Sequence, residues 1–95
     1  MPYQPKEAEL LQLGFRTNSP AQPYPTRAYF APMQGSDNYL TLCPRPGMET
    51  AVEFTGASKV VARYYIRSAD DLRAALRGEG QREALPKHGR ALYHS

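Results

Sequence analysis

The sequence predicts a small α+β domain, in which an antiparallel meander of about four strands packs against an N-terminal and a C-terminal helix. Short runs of alternating apolar and polar residues are separated by turn formers such as PMQGSDN and PRPGM, the pattern of strands joined in order by tight turns. A helical pattern with clear end signals stands on each side of these runs. A chain of 95 residues has room for one domain. We place this domain in residues 1–85 and expect a flexible basic tail over 86–95.

The first helix is predicted over residues 5–13. Pro5 suits the first helical position, where the missing N–H has no intrahelical partner to lose. Gly14 can adopt the left-handed conformation that ends a helix, and Phe15 would then fold back onto Leu10. The run LLQLGF therefore predicts a helix that stops at Gly14.

The second helix begins at Ser68, which is typical of an N-cap residue, and Asp71 stands where a capping box places an acidic side chain. The spacing of Leu72, Ala75 and Leu76 predicts an apolar side that faces the sheet. Gly78 ends the helix. Beyond it, QREAL is expected to make one more helical turn.

Four strands are predicted between the helices, over residues 27–31, 38–43, 50–55 and 59–67. In the second strand, Leu40 and Leu42 point to one side, and Tyr39, Thr41 and Cys43 point to the other.

The turn between the third and fourth strands sets their pairing. A two-residue loop would mix apolar and charged side chains on both faces, whereas a three-residue loop over 56–58 pairs Phe54 with Val60 and Val52 with Ala62. Because a buried face favours the register that segregates apolar residues, we prefer the longer loop. The predicted inner face is Val52, Phe54, Val60, Ala62, Tyr64 and Ile66. The predicted outer face is Glu53, Lys59, Val61, Arg63, Tyr65 and Arg67.

The formal charge of +3 is unevenly distributed, since residues 1–50 balance and residues 51–95 hold eight basic and five acidic side chains. An excess of this size permits contact with nucleic acid or with an acidic protein. Strong core formers are few, so binding to a partner, or formation of a homodimer, would add stability to a thin core.

One basic and aromatic surface emerges from this pattern, and we predict that it binds a partner. It combines the outer side of the fourth strand with the second helix, and its residues are Lys59, Arg63, Tyr65, Arg67, Arg73 and Arg77. Interleaved arginine and tyrosine can hold phosphate and stack on bases, or bind carboxylates of a protein. An ordinary solvated sheet face is the competing interpretation.

No catalytic, metal or cofactor site is predicted. Cys43 is the only thiol and excludes an internal disulfide, while His88 and His94 are the only imidazoles and stand six apart in the predicted tail. The glycines occur singly, without a phosphate-binding motif. The first residues, MPYQPKEAELL, include acids and no long apolar stretch, so we expect no signal peptide, no membrane segment and a cytoplasmic protein.

The stretch ARYYIRSADDLRAALRGEGQREAL runs from a strand through a capping serine into a short helix with a charged continuation. In this respect the last third of the chain resembles compact phage and prophage accessory proteins, among them anti-CRISPR inhibitors. The resemblance implies a non-enzymatic protein that binds a host protein or ribonucleoprotein defence complex in the host cytoplasm. Many such inhibitors are acidic, whereas this chain is basic. A small nucleic-acid-binding protein that uses the basic, tyrosine-rich sheet face is the alternative, followed by an enzyme subunit.

Overall fold

The computed structural model describes residues 3–17, 21–47 and 49–84, so the predicted tail over 86–95 lies outside the described residues. The described part of the chain forms a small α+β domain with two helices and a five-stranded antiparallel sheet. In chain order the elements are α1 (Glu7–Gln12), β1 (Tyr29–Pro32), β2 (Tyr39–Leu42), β3 (Thr50–Phe54), β4 (Val60–Tyr65), α2 (Ala69–Leu76) and β5 (Arg82–Ala84). Neither of the two helices in this part of the chain is long and apolar enough to cross a membrane.

The strands lie in the order β1-β2-β3-β4-β5, which is the predicted meander extended by one strand. β5 pairs with β4 after the chain has passed through α2, so α2 is not the last element of the domain. The expected helical turn in QREAL is therefore wrong, because three of its residues form this edge strand. Backbone pairing with β4 decides the conformation of this short segment, whose local helical preference is too weak to compete.

The predicted stop of α1 at Gly14 and the predicted start of α2 at Ser68 are confirmed, whereas α1 begins at Glu7, with Lys6 as its N-cap, and not at Pro5. Gly14 has a φ of 100°, the N–H of Phe15 donates to the carbonyl of Leu10 at 2.9 Å, and the N–H of Gly14 donates to the carbonyl of Leu11 at 3.1 Å. At the start of α2, the Ser68 hydroxyl accepts from the Asp71 N–H at 3.1 Å. The Asp71 carboxylate in turn accepts from the backbone N–H of Arg67, one residue earlier than in a standard capping box.

The hydrophobic core lies against one face of the sheet. Cross-strand neighbours on this face are buried in every strand from β1 to β4. One cluster joins them to apolar residues of the helical segments, and its buried members include Tyr29, Ala31, Leu40, Leu42, Ala51, Ala62, Tyr64, Leu10, Phe15, Leu72, Ala75 and Leu76. The alternation predicted for β2 is confirmed, since Leu40 and Leu42 are buried and Tyr39 is 41% exposed.

The hairpin of β3 and β4 differs from the predicted register. Phe54 pairs with Val60 across the three-residue loop, as predicted. The register then shifts between Glu53 and Phe54, so that Glu53 pairs with Ala62 and an extra residue, Val61, stands in β4. This shift is a β-bulge. Beyond the bulge, each residue of β3 pairs with a β4 residue one position later than predicted, and it therefore lies on the opposite face of the sheet from the predicted one.

The bulge reverses part of the predicted inner face. Val52 pairs with Arg63 rather than Ala62, so Val52 and Phe54 lie on the face opposite the core. Glu53, predicted on the outer face, is 5% exposed and lies in the core. Val60 is 39% exposed, and Val61, predicted on the outer face, packs against the core.

Candidate functional site

The face of the sheet opposite the core is the candidate site, and we call it the open face. Its members follow from the strand pairing, and none of them is buried. The open face comprises Phe30, Pro32, Tyr39, Thr41, Thr50, Val52, Phe54, Val60, Arg63, Tyr65 and Glu83. It is rich in aromatic and aliphatic side chains, the opposite of the polar composition expected for a solvated sheet face.

Three aromatic rings of the open face border a groove. Tyr39 pairs with Phe54 on the neighbouring strand, and the rings of Phe30 and Tyr39 meet edge to face with centroids 6.4 Å apart. The groove has a volume of about 530 Å³, and Thr41 and Ser58 line it together with the three aromatic residues. It therefore offers both ring surfaces and small polar groups to a ligand.

Charged side chains lie at the margins of the open face. The Arg63 guanidinium is 3.5 Å from the Glu83 carboxylate, which also accepts a weak hydrogen bond from the Tyr65 hydroxyl at 3.4 Å. The Arg67 guanidinium lies over the Tyr65 ring, 5.7 Å from its centroid. Arg16 forms a β-bridge with Phe30 on the outer side of β1, which brings its exposed side chain to the opposite margin.

A buried polar cluster lies behind the open face. Glu53 accepts hydrogen bonds from the Tyr64 hydroxyl at 2.8 Å and from the Asn38 amide at 2.6 Å. Arg82 donates to the Tyr64 oxygen at 3.1 Å and stands 3.8 Å from the Glu53 carboxylate. Burial, together with the hydrogen bond to Glu53, raises the pKa of Tyr64. The cluster thus connects β3, β4 and β5 and the start of β2.

Two further acidic residues, both on α1, are also held by tyrosines. The Tyr29 hydroxyl donates to Glu7 at 2.7 Å, and burial together with this hydrogen bond raises the pKa of Tyr29 to about 12. The Tyr3 hydroxyl donates to Glu9 at 2.6 Å, and burial with this hydrogen bond raises the pKa of Tyr3. These carboxylates are therefore directed into the structure rather than towards the open face.

Of the six residues predicted to bind a partner, the structure brings three together. Arg63 and Tyr65 lie on the open face, and Arg67 lies over the Tyr65 ring just after β4. Lys59 is exposed at the end of the loop that joins β3 to β4.

The other two predicted residues, Arg73 and Arg77, lie on α2. Their exposed guanidinium groups pair with Asp70 and Glu79 respectively. The Arg73 charge also opposes the rise in the pKa of Tyr3, so Arg73 lies near the N-terminal segment. The apolar side of α2 belongs to the core cluster, whereas Arg73 and Arg77 lie on its exposed side.

Phe30, Phe54 and Arg16 were not predicted as members of the site. The β-bulge places Phe54 on the open face, and the bridge to Phe30 brings Arg16 there. The sequence pattern is sufficient to identify Tyr39 as a member of the site, because alternation with the buried Leu40 and Leu42 directs Tyr39 away from the core.

The structure gives Cys43 a packing position. Its half-buried thiol lies 3.6 Å from the backbone carbonyl of Pro25. His88 and His94 lie outside the described residues. Within residues 3–17, 21–47 and 49–84, no group of three or more histidine, cysteine, aspartate or glutamate side chains could hold a metal ion.

Comparison of the chain with protein-family models, with curated proteins and with solved structures finds no match. The interpretation of the open face therefore depends on its own geometry and charge.

Proposed function

We propose that this chain is a non-enzymatic binding module that contacts a protein or ribonucleoprotein partner through the open face. The observation that carries the proposal is a sheet face on which four aromatic side chains, Phe30, Tyr39, Phe54 and Tyr65, stand without being buried and outside the core cluster. Aromatic residues and arginine are enriched at binding interfaces, and lysine and acidic residues are depleted there. Only one acidic residue, Glu83, belongs to the open face.

In this proposal both helices pack behind the sheet, on the face that carries the buried strand residues. In that arrangement the helices stabilise the sheet and leave its other face available to a partner. Patches of exposed apolar surface on small domains commonly mark interaction sites. Cys43 has no catalytic role in this proposal.

The biological role that we propose is based on the resemblance of the last third of the chain to phage accessory proteins. Such a protein would act by stoichiometric binding to a host defence nucleoprotein complex in the cytoplasm. The open face supports this proposal by supplying a binding surface that requires no reaction chemistry.

The test is capture of partners from a bacterial lysate with the tagged chain and two variants. One variant combines Arg63→Ala, Tyr65→Ala and Arg67→Ala on the open face. The control combines Arg73→Ala and Arg77→Ala on α2, which removes the same kind of charge from the other side of the molecule. We expect the control to retain the partner of the unmodified chain and the open-face variant to lose it. Retention by a folded open-face variant would reject this face as the binding surface.

A further inference from the structure

The size of the open face limits what can bind to it. Neighbouring strands lie about 4.8 Å apart and a strand rises about 3.4 Å per residue. Four strands of about five residues therefore present roughly 20 Å by 17 Å, or about 340 Å². A stable interface between globular proteins covers about 800 Å² on each partner. The open face is thus too small to hold a second copy of the chain by itself, and it suits one extended strand.

The backbone of the sheet offers little to an extended peptide. Such peptides usually add to a free sheet edge through main-chain hydrogen bonds. At the β1 edge, the N–H and carbonyl groups of Phe30 already bond to Arg16, each at 2.8 Å. On the other side the edge strand is β5, which has only three residues and therefore offers few main-chain groups. The open face presents side chains alone, which favours a ligand recognised by stacking.

The rings and hydroxyl groups of the groove match the parts of a nucleotide. Bases of every type stack on exposed aromatic side chains, and sheets bind single strands in this way. Phe30, Tyr39 and Phe54 provide three such rings within one groove. Thr41 and Ser58 line the same groove, and hydroxyl side chains of this kind can hydrogen-bond the 2′-hydroxyl that distinguishes RNA from DNA.

Charge at the margins also favours a polyanion. Arg16 lies beyond Phe30 on one side, and Arg63 and Arg67 lie on the other. The pairing runs continuously from Arg16 to Phe30, Thr41, Val52 and Arg63, four strand spacings or about 19 Å in all. A sheet of this kind stacks about two or three bases. The exposed ion pair between Arg63 and Glu83 contributes little stability, so Arg63 can exchange Glu83 for a phosphate.

We infer that the open face binds a short segment of single-stranded RNA. Phe30, Tyr39 and Phe54 stack on its bases, and Arg16, Arg63 and Arg67 contact its phosphates. This inference rests on the proposed function, because it names the element of a ribonucleoprotein partner that the open face contacts.

Binding is measured by fluorescence anisotropy with labelled oligo-uridine of about eight nucleotides at low salt. The comparison ligands are oligo-deoxyuridine of the same length, an RNA duplex and a poly-glutamate peptide. The key variant combines Phe30→Leu with Phe54→Leu, which keeps apolar surface and removes the rings. The matched control is Leu11→Ala, which shortens an apolar side chain that is 46% exposed on α1.

We expect oligo-uridine to bind more tightly than the other three ligands, with a log–log salt slope of about −2 for three phosphate contacts. The double leucine variant should bind roughly ten-fold more weakly or worse, and Leu11→Ala should bind as the unmodified chain does. Three results would overturn the RNA assignment: no binding of oligo-uridine, equal binding of any comparison ligand, or full affinity in the double leucine variant.

The lysate experiment separates the two proposals. If oligo-uridine fails to bind but the combined Arg63, Tyr65 and Arg67 variant still loses its partner, the open face binds a protein segment and the RNA assignment is wrong. If that variant keeps its partner and oligo-uridine also fails to bind, both proposals fall.

Discussion

Replacement of Glu53 tests the bulged register of the β3–β4 hairpin more directly than any other change. In the structure Glu53 is 5% exposed and accepts hydrogen bonds from Tyr64 and Asn38. In the register predicted without a bulge, Glu53 lies on the outer face and Val52 lies in the core. The two registers therefore predict opposite orders for the cost of Glu53→Ala and Val52→Ala.

The magnitude follows from the contacts. A hydrogen bond to a charged group contributes about 1.5–3 kcal/mol, and Glu53→Ala removes two. It also leaves the O–H of Tyr64, a side chain that is 1% exposed, without its acceptor, although Arg82 still donates to the Tyr64 oxygen. Part of this loss is offset because the variant no longer buries a carboxylate. We expect a net loss of about 3 kcal/mol in the free energy of unfolding. A domain of this length has a total of about 5–14 kcal/mol, so the melting temperature should fall by roughly 12–24 °C.

Val52→Ala provides the matched comparison on the open face. Because Val52 is half-buried, its truncation should cost about 1 kcal/mol or less. Urea denaturation followed by circular dichroism measures both variants. A Val52→Ala loss larger than the Glu53→Ala loss would refute the bulge and restore the register predicted from the sequence. Tyr64→Phe combined with Glu53→Leu should recover much of the lost stability, because the donor and the acceptor of the buried Tyr64–Glu53 hydrogen bond are then removed together.

Three further predictions concern the helix ends and the buried phenols. Ser68→Ala should lower the free energy of unfolding by about 1 kcal/mol in urea denaturation, since it removes the acceptor for the Asp71 N–H, whereas Ser68→Asp should retain stability. Gly14→Ala should cost about 1 kcal/mol through its φ of 100° alone, because no atom lies within 4 Å of the added methyl; an unchanged melting temperature would contradict this. Folding raises the pKa of Tyr29 above the value of about 10 in the unfolded chain, so its contribution to stability is complete below pH 10 and is lost as the pH rises towards 12. In a titration followed by phenolate absorbance, Tyr29→Phe should remove one delayed phenol, and an identical curve would contradict the assignment.

Local signals in the sequence predicted much of the fold. The α+β class, the antiparallel meander and the end of α1 at Gly14 were all predicted from turn formers, alternation and capping residues. These features depend on contacts between residues close in the chain, which the sequence displays directly. Ser68 belongs to the same group, because its hydroxyl bonds three residues ahead.

The candidate site was predicted only in part. Arg63, Tyr65 and Arg67 were identified, since strict alternation in β4 holds on their side of the bulge. Phe54 is predicted on the wrong face. The extra residue Val61 in β4 turns the side chains of the paired strand, β3, to the opposite face of the sheet from the predicted one.

The sequence by itself determined the two helices and the first four strands, but not β5, and it placed a basic and aromatic stripe on β4. Only the tertiary structure decided which side of β3 is buried. Tyr64, Asn38 and Arg82 surround Glu53 and satisfy its carboxylate in the core. With Glu53 buried, Val52 and Phe54 must face the other way and join Phe30 and Tyr39 on the open face. The physical reason is that a buried carboxylate needs partners from distant parts of the chain, and only folding brings those partners together.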